Sequence, residues 1–553
     1  MFLRTTRSKL KDGTHAEYFQ LAESVWSPEK KRPVTQIVHN FGRVDEDTRE
    51  RLRRLAKSIL SKVGSVEELA TTPGLRLVDS YVYGAFHVVR ELWRRSGLEG
   101  AVTEAVARSG TTMPMADALF LMVANRLLAP RSKLYCYEQW IREEVWYPGA
   151  SKLELHHLYL AMDLLEEEHE AIEEKVFWHL SDLLNLDVDL IFYDTTSVHF
   201  EVDEEDDGDA PLRKRGHSKN KRTDLPQIVV GLAVTRDGFP VRSWLFPGNT
   251  VDVRTVARVK ADLRGWRLGR CVFVGDAGMS SAENRRELSL GGGRWILAAP
   301  VNSKDKVVQE VLRRPGRYKE LGPNLRIKEV WYPDADAGER RQRYVICHNP
   351  AEAERQRKHR DEVVRMLEAE LATLRDDGEG HSKRVCDLKT SRRYGRYLRE
   401  TKSGKLRIDR TAIREAAHTD GKWAVTSNDD TLTAEDLALG YKQLQRVEQA
   451  WRDMKGGLAL RPVHHRIRRR NQAHIRLCVM ALLIERMAEH ACGDTWRNIR
   501  DDLNGIKVGV LSGPDGEVVQ ATTPKPAAQE RLKKLGIEPP KAVLEFAGRG
   551  AKT

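Results

Sequence analysis

The 553-residue chain is short of cysteine, and its six thiols form no pattern. Cys136, Cys271, Cys347, Cys386, Cys478 and Cys492 include no CxxC pair and no histidine at finger spacing. That scatter excludes a zinc module and a disulfide framework and predicts reduced, mostly buried thiols. Long apolar runs are lacking too: Asp117 to Ala129 and Leu477 to Ile484 are well below the roughly 18 to 20 residues that cross a bilayer, so no transmembrane helix or membrane partner is expected. The N-terminal MFLRTTRSKLKDG is charged and has no apolar core of a secretory signal, which predicts a cytoplasmic protein. His156-His157 lies outside any HExxH pattern, Gly291 to Gly293 lacks the lysine and spacing of a phosphate loop, and no GxSxG occurs. Zinc peptidase, nucleotide-hydrolysing loop and serine hydrolase readings fall with those absences. What the chain has is positive charge, with 93 Lys plus Arg against 81 Asp plus Glu, a net of +12. Such an excess fits a polyanionic partner.

Length predicts three or four structural units, and 40% hydrophobic residues suffice for packed cores. Residues 1–45 are read as a β-hairpin region, with His15 to Trp26 and Pro33 to Phe41 separated by Ser27-Pro28. Residues 46–180 carry helical periodicity and are read as an all-helical, DNA-binding domain. From about 181 to 490 strands take over. Val188 to Asp194 (VDLIFYD), Gln227 to Thr235 and Phe239 to Phe246 read as strands, the last two joined by Asp237-Gly238. A helix over Val251 to Leu263 and a strand over Cys271 to Val274 follow. The order β, β, β, α, β predicts an α/β, ribonuclease-H-like sheet. Between the first two strands, Glu201 to Thr223 carries an acidic block followed by a basic one and reads as a solvated, mobile loop, with a functional clamp as the alternative. Residues 491–553 read as a C-terminal tail of short elements.

Asp194 and Asp276 each end a short apolar run. On parallel neighbouring strands their carboxylates emerge side by side, roughly 5 Å apart. Two acids so placed call for a divalent cation, which favours both anions and can activate water against a phosphodiester. For Asp276 a helix-capping role competes, since Ser280, Ser281 and Glu283 also suit a helix start. Tyr441 to Lys455 (YKQLQRVEQAWRDMK) reads as one helix, and Tyr441, Leu444, Glu448, Trp451 and Lys455 share a face. A carboxylate at the centre of that face requires a partner; the plainer account is a Glu448–Arg452 pair on an exposed helix.

The trio Asp194 in YDTTS, Asp276 in VGDAG and Glu448 in that helix resembles the DDE transposases of bacterial insertion sequences, specifically the insertion sequence four superfamily. Its signature of Tyr, two residues, Arg, three residues, Glu, six residues and Lys is met at Tyr441, Glu448 and Lys455, with Leu444 at the Arg position. The resemblance implies that Asp194, Asp276 and Glu448 hold Mg2+ or Mn2+, two ions, and that Tyr441 and Lys455 touch DNA ends. It also implies an inserted, mainly β subdomain at about 290–430, with strands over Trp295 to Val301, Leu325 to Trp331 and Arg343 to Cys347. A charged helix from about Ala351 to Leu374 is expected there, with a seam of Val363, Leu367, Leu371 and Leu374 serving internal packing.

Between Tyr441 and Arg476 stand ten Lys or Arg and two acids, a net of +8 in 36 residues. Arg452, Arg466, Arg468, Arg469 and Arg470 suit DNA phosphates. The expected function is cut-and-paste transposition: binding of double-stranded terminal inverted repeats and target DNA, then strand cleavage and strand transfer, as a homodimer in a synaptic complex near the nucleoid. The alternatives are a ribonuclease-H-like nuclease that does not join, and a non-catalytic DNA-binding protein.

Overall fold

The computed structural model describes residues 2–9, 15–30, 32–63, 75–184, 189–208, 211–217, 222–268, 271–300, 306–333, 341–376, 381–401, 405–513 and 516–548. They fall into two compact units, one of Met1–Ser80, Val508–Thr522 and Lys541–Thr553, the other of Tyr81–Lys507 and Thr523–Pro540.

In the first unit the expected hairpin is a three-stranded sheet. Strands β2 (His15–Ser27) and β3 (Arg32–Arg43) pair antiparallel, and β1 (Phe2–Lys9) joins along β2 from Phe2↔Ala22 to Lys9↔His15. β1 escaped the sequence reading because its charged, mostly exposed FLRTTRSK carries no hydrophobic alternation, as suits an edge strand. Asp45 then caps the helix Glu46–Val63, its Oδ1 accepting from Thr48 N at 2.7 Å. The stretch expected to be wholly helical is interrupted by β4 (Arg76–Val82).

The second unit begins with helices Gly84–Arg95, Leu98–Arg108, Met115–Leu128 and Leu155–Leu183. They enclose the apolar helix Arg468–Cys492, which packs on Met115–Leu128, Leu155–Leu183 and the sheet beyond. The sheet contains β5 (Leu190–His199), β6 (Gln227–Val234), β7 (Pro240–Pro247), β8 (Val272–Gly275), β9 (Trp295–Ala299), β10 (Lys319–Gly322), β11 (Leu325–Pro333), β12 (Arg341–His348) and β15 (Lys422–Ser427); β13 (Leu398–Glu400) and β14 (Leu406–Ile408) form a separate small pair. Its order is β10-β11-β12-β15-β9-β8-β5-β6-β7, with β8 parallel to both β5 and β9 and every other pair antiparallel. All eight residues of β6 are buried, as expected of a central strand covered on both faces. Asp237-Gly238 turns β6 into β7, Gly238 taking the left-handed φ of +87° that a tight turn favours. The helix Val256–Gly265 starts later than expected, after a 3-10 turn over Asp252–Arg254. Tyr193, Trp244 and Phe273 meet in the core, each pair with Tyr193 at 5.7 Å between rings.

Two expectations need correction. The strands of segment 290–430 do not build a separate sheet: β15 returns antiparallel between β9 and β12 and so joins β10, β11 and β12 to the central sheet. The predicted charged helix is present as Pro350–Asp376, and Val363, Leu367, Leu371 and Leu374 are buried with Leu388 and Tyr397, an internal seam. The acidic and basic blocks after β5 pair with each other while most of their described residues stay exposed: Asp206 Oδ1 accepts from Arg213 Nε at 2.5 Å and Glu205 Oε1 from Arg215 N at 2.7 Å. Residues 209, 210 and 218–221 of that segment lie outside the described residues.

Residues expected as a loose tail are ordered. Helices Trp496–Leu503 and Pro526–Leu535 belong to the second unit, while β16 (Lys507–Gly513), β17 (Gly516–Ala521) and β18 (Val543–Gly548) complete a sheet of order β18-β17-β16-β4. The partners of β4 lie more than 400 residues away, so no local pattern announces it.

Candidate active site

The site is set by two parallel strands. Ile191 pairs with Phe273 and Phe192 with Val274. Two residues on, that register sets Asp194 opposite Asp276. Asp194 is half-buried in the middle of β5, between buried Tyr193 and Thr195. Asp276 follows β8 directly, with extended φ −80° and ψ 177°. Its side chain makes no cap bond, and the helix Ala282–Ser289 is capped by Ser281, whose Oγ accepts from Asn284 N at 3.1 Å. Ser281 thereby takes the capping role that competed for Asp276.

A third carboxylate near this pair was missed by sequence reasoning. A Cβ at Gly278 would lie 3.3 Å from Asp276 Oδ1 and 3.7 Å from Asp252 Oδ2, so the two acids border one small volume. Asp252 opens the 3-10 turn after Pro247-Gly248-Asn249-Thr250 and accepts from Thr195 Oγ1. It and Asp194 both help to raise the Tyr193 phenol, after burial. The only signal in the sequence was an acid just after that turn.

The helix carrying Glu448 is not continuous with Tyr441. Ala434–Lys442 ends, and Gln445–Lys455 begins, across a tightened junction in which Leu444 N bonds Tyr441 O at 2.9 Å and Arg446 N bonds Gln443 O at 2.8 Å. These i to i+3 bonds tighten the chain and break the one helix expected over 441–455 into two, yet Tyr441, Leu444 and Glu448 still border one cavity. Val447, Ala450, Trp451 and Met454 are buried, and the helix contacts β5 and β6. Glu448 is exposed at the edge of a cavity of about 600 Å³ that Tyr441 and Trp423 also line. Arg452 donates to Gln449 Oε1 at 2.6 Å, so the plainer Glu448–Arg452 pair is not formed.

Tyr441 connects the acids electrostatically. Its phenol is pushed up by burial first and then by Asp276, Glu448 and Asp194, in that order. It therefore stays protonated at neutral pH and can donate a hydrogen bond. Lys455 donates from Nζ to Thr196 Oγ1, two residues beyond Asp194 and on the same side of β5. Leu444 is buried, with 6% exposure, where the resemblance expects Arg.

Carboxylate oxygens are the donor type that Mg2+ and Mn2+ prefer. Asp194 within β5 and Asp276 just past the end of β8 fit such an ion, and Glu448 shares with both of them an influence on the Tyr441 phenol. Among the described residues no three His, Cys, Asp or Glu side chains are close enough together to share one ion as placed.

The basic run is divided. Arg469 pairs with Glu167 at 2.5 Å, and Arg470 pairs with Asp163 at 3.2 Å while lying over the Tyr159 ring at 4.7 Å. Both clamp the Leu155–Leu183 helix. Arg466 and Arg468 are exposed. No helix among the described residues is long and apolar enough to cross a membrane.

The family described as "Transposase DDE domain" matches residues 190–484, and that described as "IS1634 family transposase, N-terminal domain" matches residues 3–69. No curated protein matches. Among solved structures, the chain is similar to piggyBac transposase in a synaptic complex with hairpin DNA, at 9% identity and a TM-score of 0.33 over 76% of this chain and 78% of that one.

Proposed function

The chain belongs to the bacterial insertion-sequence DDE transposases, metal-dependent enzymes that cut and join DNA, and from that premise we propose that Asp194, Asp276 and Glu448 are its catalytic carboxylates. The observation that carries this reading is the parallel register of β5 and β8, which sets Asp194 across from Asp276. The strand order β7-β6-β5-β8-β9, antiparallel then parallel, supports a ribonuclease-H-like core. Two Mg2+ or Mn2+ ions held by these carboxylates would supply activation of the attacking hydroxyl and neutralisation of the leaving oxygen.

The chain's own residues have separable parts. Buried β5 and β8 fix the two aspartates, and Asp252, held by Thr195, adds negative charge beside Asp276. Tyr441 serves as a donor to a phosphate oxygen, since its raised pKa disfavours the phenolate that a nucleophile would need. Lys455, anchored on Thr196, brings a cation to the strand that carries Asp194. Arg452, Arg466 and Arg468 give outer phosphate contacts, and Arg469 and Arg470 join them on exchanging their acidic partners for DNA. The substrates are the double-stranded terminal inverted repeats and target DNA, bound by a homodimer in the cytoplasm.

The test is cleavage and joining of a labelled duplex carrying the element's end, with Mg2+ or Mn2+, comparing wild type with Glu448→Gln. Metal-dependent cutting and joining that Glu448→Gln abolishes supports the assignment. Cutting without joining would make the protein a nuclease, and activity that survives Glu448→Gln would remove the third carboxylate.

A further inference from the structure

Apart from the carboxylate site, the second unit buries a group of cations without acids. Arg126 and Lys133 are 2% and 3% exposed. Arg126 Nη1 donates to Ala459 O at 3.4 Å, and Nη2 donates to Arg131 O and, at 3.5 Å, to Asn125 Oδ1. Among the described residues no carboxylate pairs with Arg126 or Lys133. Beside them His474 is buried, its Nε2 donating to Leu460 O at 3.1 Å, and its ring lies 6.0 Å from that of His465. The neighbouring thiols supply no negative charge, because burial raises both Cys478 and Cys136, the latter to about 11. Burying a charge is costly unless it is paired.

These side chains open on a cavity of about 300 Å³ that Arg131, Arg461 and His464 also line. Lys133, nine-tenths buried and without a hydrogen-bond partner among the described residues, borders that space. The crowding is visible in titration as well: burial and then Arg126 push Lys133 down to about 7, while burial and then Lys133 push His465 down to about 4. The loop that closes the cavity is tied to the catalytic strand, since Val463 forms a parallel bridge to Phe200, immediately after β5. Phe200 lies six residues beyond Asp194, on the order of 20 Å at the rise of a strand.

We propose that this cavity binds one phosphate group between Lys133, Arg126 and the Ala459–His465 loop, and that in the working enzyme it is a backbone phosphate of DNA lying outside the carboxylate site. The choice of DNA as the source rests on the transposase reading; the phosphate chemistry rests on the buried cations alone. A bound phosphate supplies the missing counter-charge and fixes the register of the duplex along β5.

The test uses the full chain and two variants. Lys133→Met keeps the length of the buried stem and removes the charge; Arg131→Gln changes an exposed residue at the mouth. Thermal unfolding is followed in inorganic phosphate against chloride at matched ionic strength. Duplex binding is then measured across a salt series. Wild type should gain stability in phosphate, and Lys133→Met should lose that gain while unfolding no earlier than wild type in chloride. For DNA, Lys133→Met should reduce the log–log salt slope by about one phosphate contact, roughly 0.9, at any duplex sequence. Arg131→Gln should weaken the phosphate effect without altering unfolding in chloride. Loss of the phosphate gain with an unchanged salt slope would assign the cavity to free phosphate and overturn the DNA source. No phosphate gain in wild type together with an unchanged slope would overturn the proposal. Failure of wild type to bind any duplex would instead strike the transposase reading, and the phosphate arm would still judge the cavity.

Discussion

Replacing Arg476 with Met should cost more stability than removing almost any other single side chain in the second unit. Arg476, 5% exposed on the Arg468–Cys492 helix, joins three elements. Nη1 donates to Ser243 O on β7 at 2.6 Å and to Glu173 Oε1 at 3.2 Å, and Nε faces Glu166 Oε2 at 3.8 Å, an ion pair too long for a hydrogen bond. Methionine matches the apolar stem, so little cavity cost enters, and the loss is that of leaving buried carboxylates uncompensated, about 3–5 kcal/mol. The pH dependence follows from Glu166. Burial first, opposed by Arg476 and reinforced by Glu173, pushes it up to about 7 from 4.5. A folded pKa above the unfolded one means that the folded state holds the extra proton, so stability falls as pH rises from 4.5 through about 7. Removing Arg476 takes away the main opposing influence and carries that decline to higher pH. Urea unfolding of Arg476→Met should therefore show a larger loss at pH 8 than at pH 5, and Glu166→Gln in the same chain should recover part of the pH 8 loss. A loss below about 1 kcal/mol at pH 8, or one independent of pH, would show that Arg476 does not compensate Glu166 and Glu173.

Other outcomes follow from single contacts. A Cβ at Gly231 would overlap Tyr193 Oη and lie 2.9 Å from its Cε2; Gly231→Ala should cost about 1–3 kcal/mol by overpacking and lower strand cleavage more than duplex affinity, because the displaced ring adjoins Asp194. Glu485, 6% exposed, is pushed up to about 8 by burial first and then by Glu489 and Asp453. Its contribution therefore falls as pH rises from 4.5 to about 8, and Glu485→Gln should flatten the stability profile there, by at most about 1.4 kcal/mol per pH unit. Equal slopes for the two proteins would contradict that assignment.

The strands that carry the acids were legible because they are short, β-rich and apolar, and because Asp194 and Asp276 end such runs. The hairpin at Asp237-Gly238 was legible from turn chemistry alone. Asp252 was not, since a 3-10 turn has no periodicity to mark it. The break between Tyr441 and Glu448 was also hidden: Gln443 and Leu444 stay near helical angles, and only the shift to i to i+3 bonding marks the end of one helix and the start of the next. Lys133 in PRSKLY has no local signal of burial, and the residues about it include the Ala459–His465 loop, more than 300 residues later. Likewise Arg469 and Arg470 looked like free phosphate ligands until the Leu155–Leu183 helix supplied Glu167 and Asp163. In each case the missing information was a partner distant in sequence.

The proposed contact of Asp276 with the catalytic ion is tested by exchanging a hard ligand for a soft one. Asp276→Cys places a thiolate where Mg2+ prefers oxygen, whereas the softer Mn2+ tolerates sulfur better. Asp276→Cys should still bind the end duplex, fail to cleave it in Mg2+ and regain cleavage in Mn2+. Cleavage in Mg2+ at the wild-type rate, or no recovery in Mn2+ by a folded, DNA-bound variant, would contradict it.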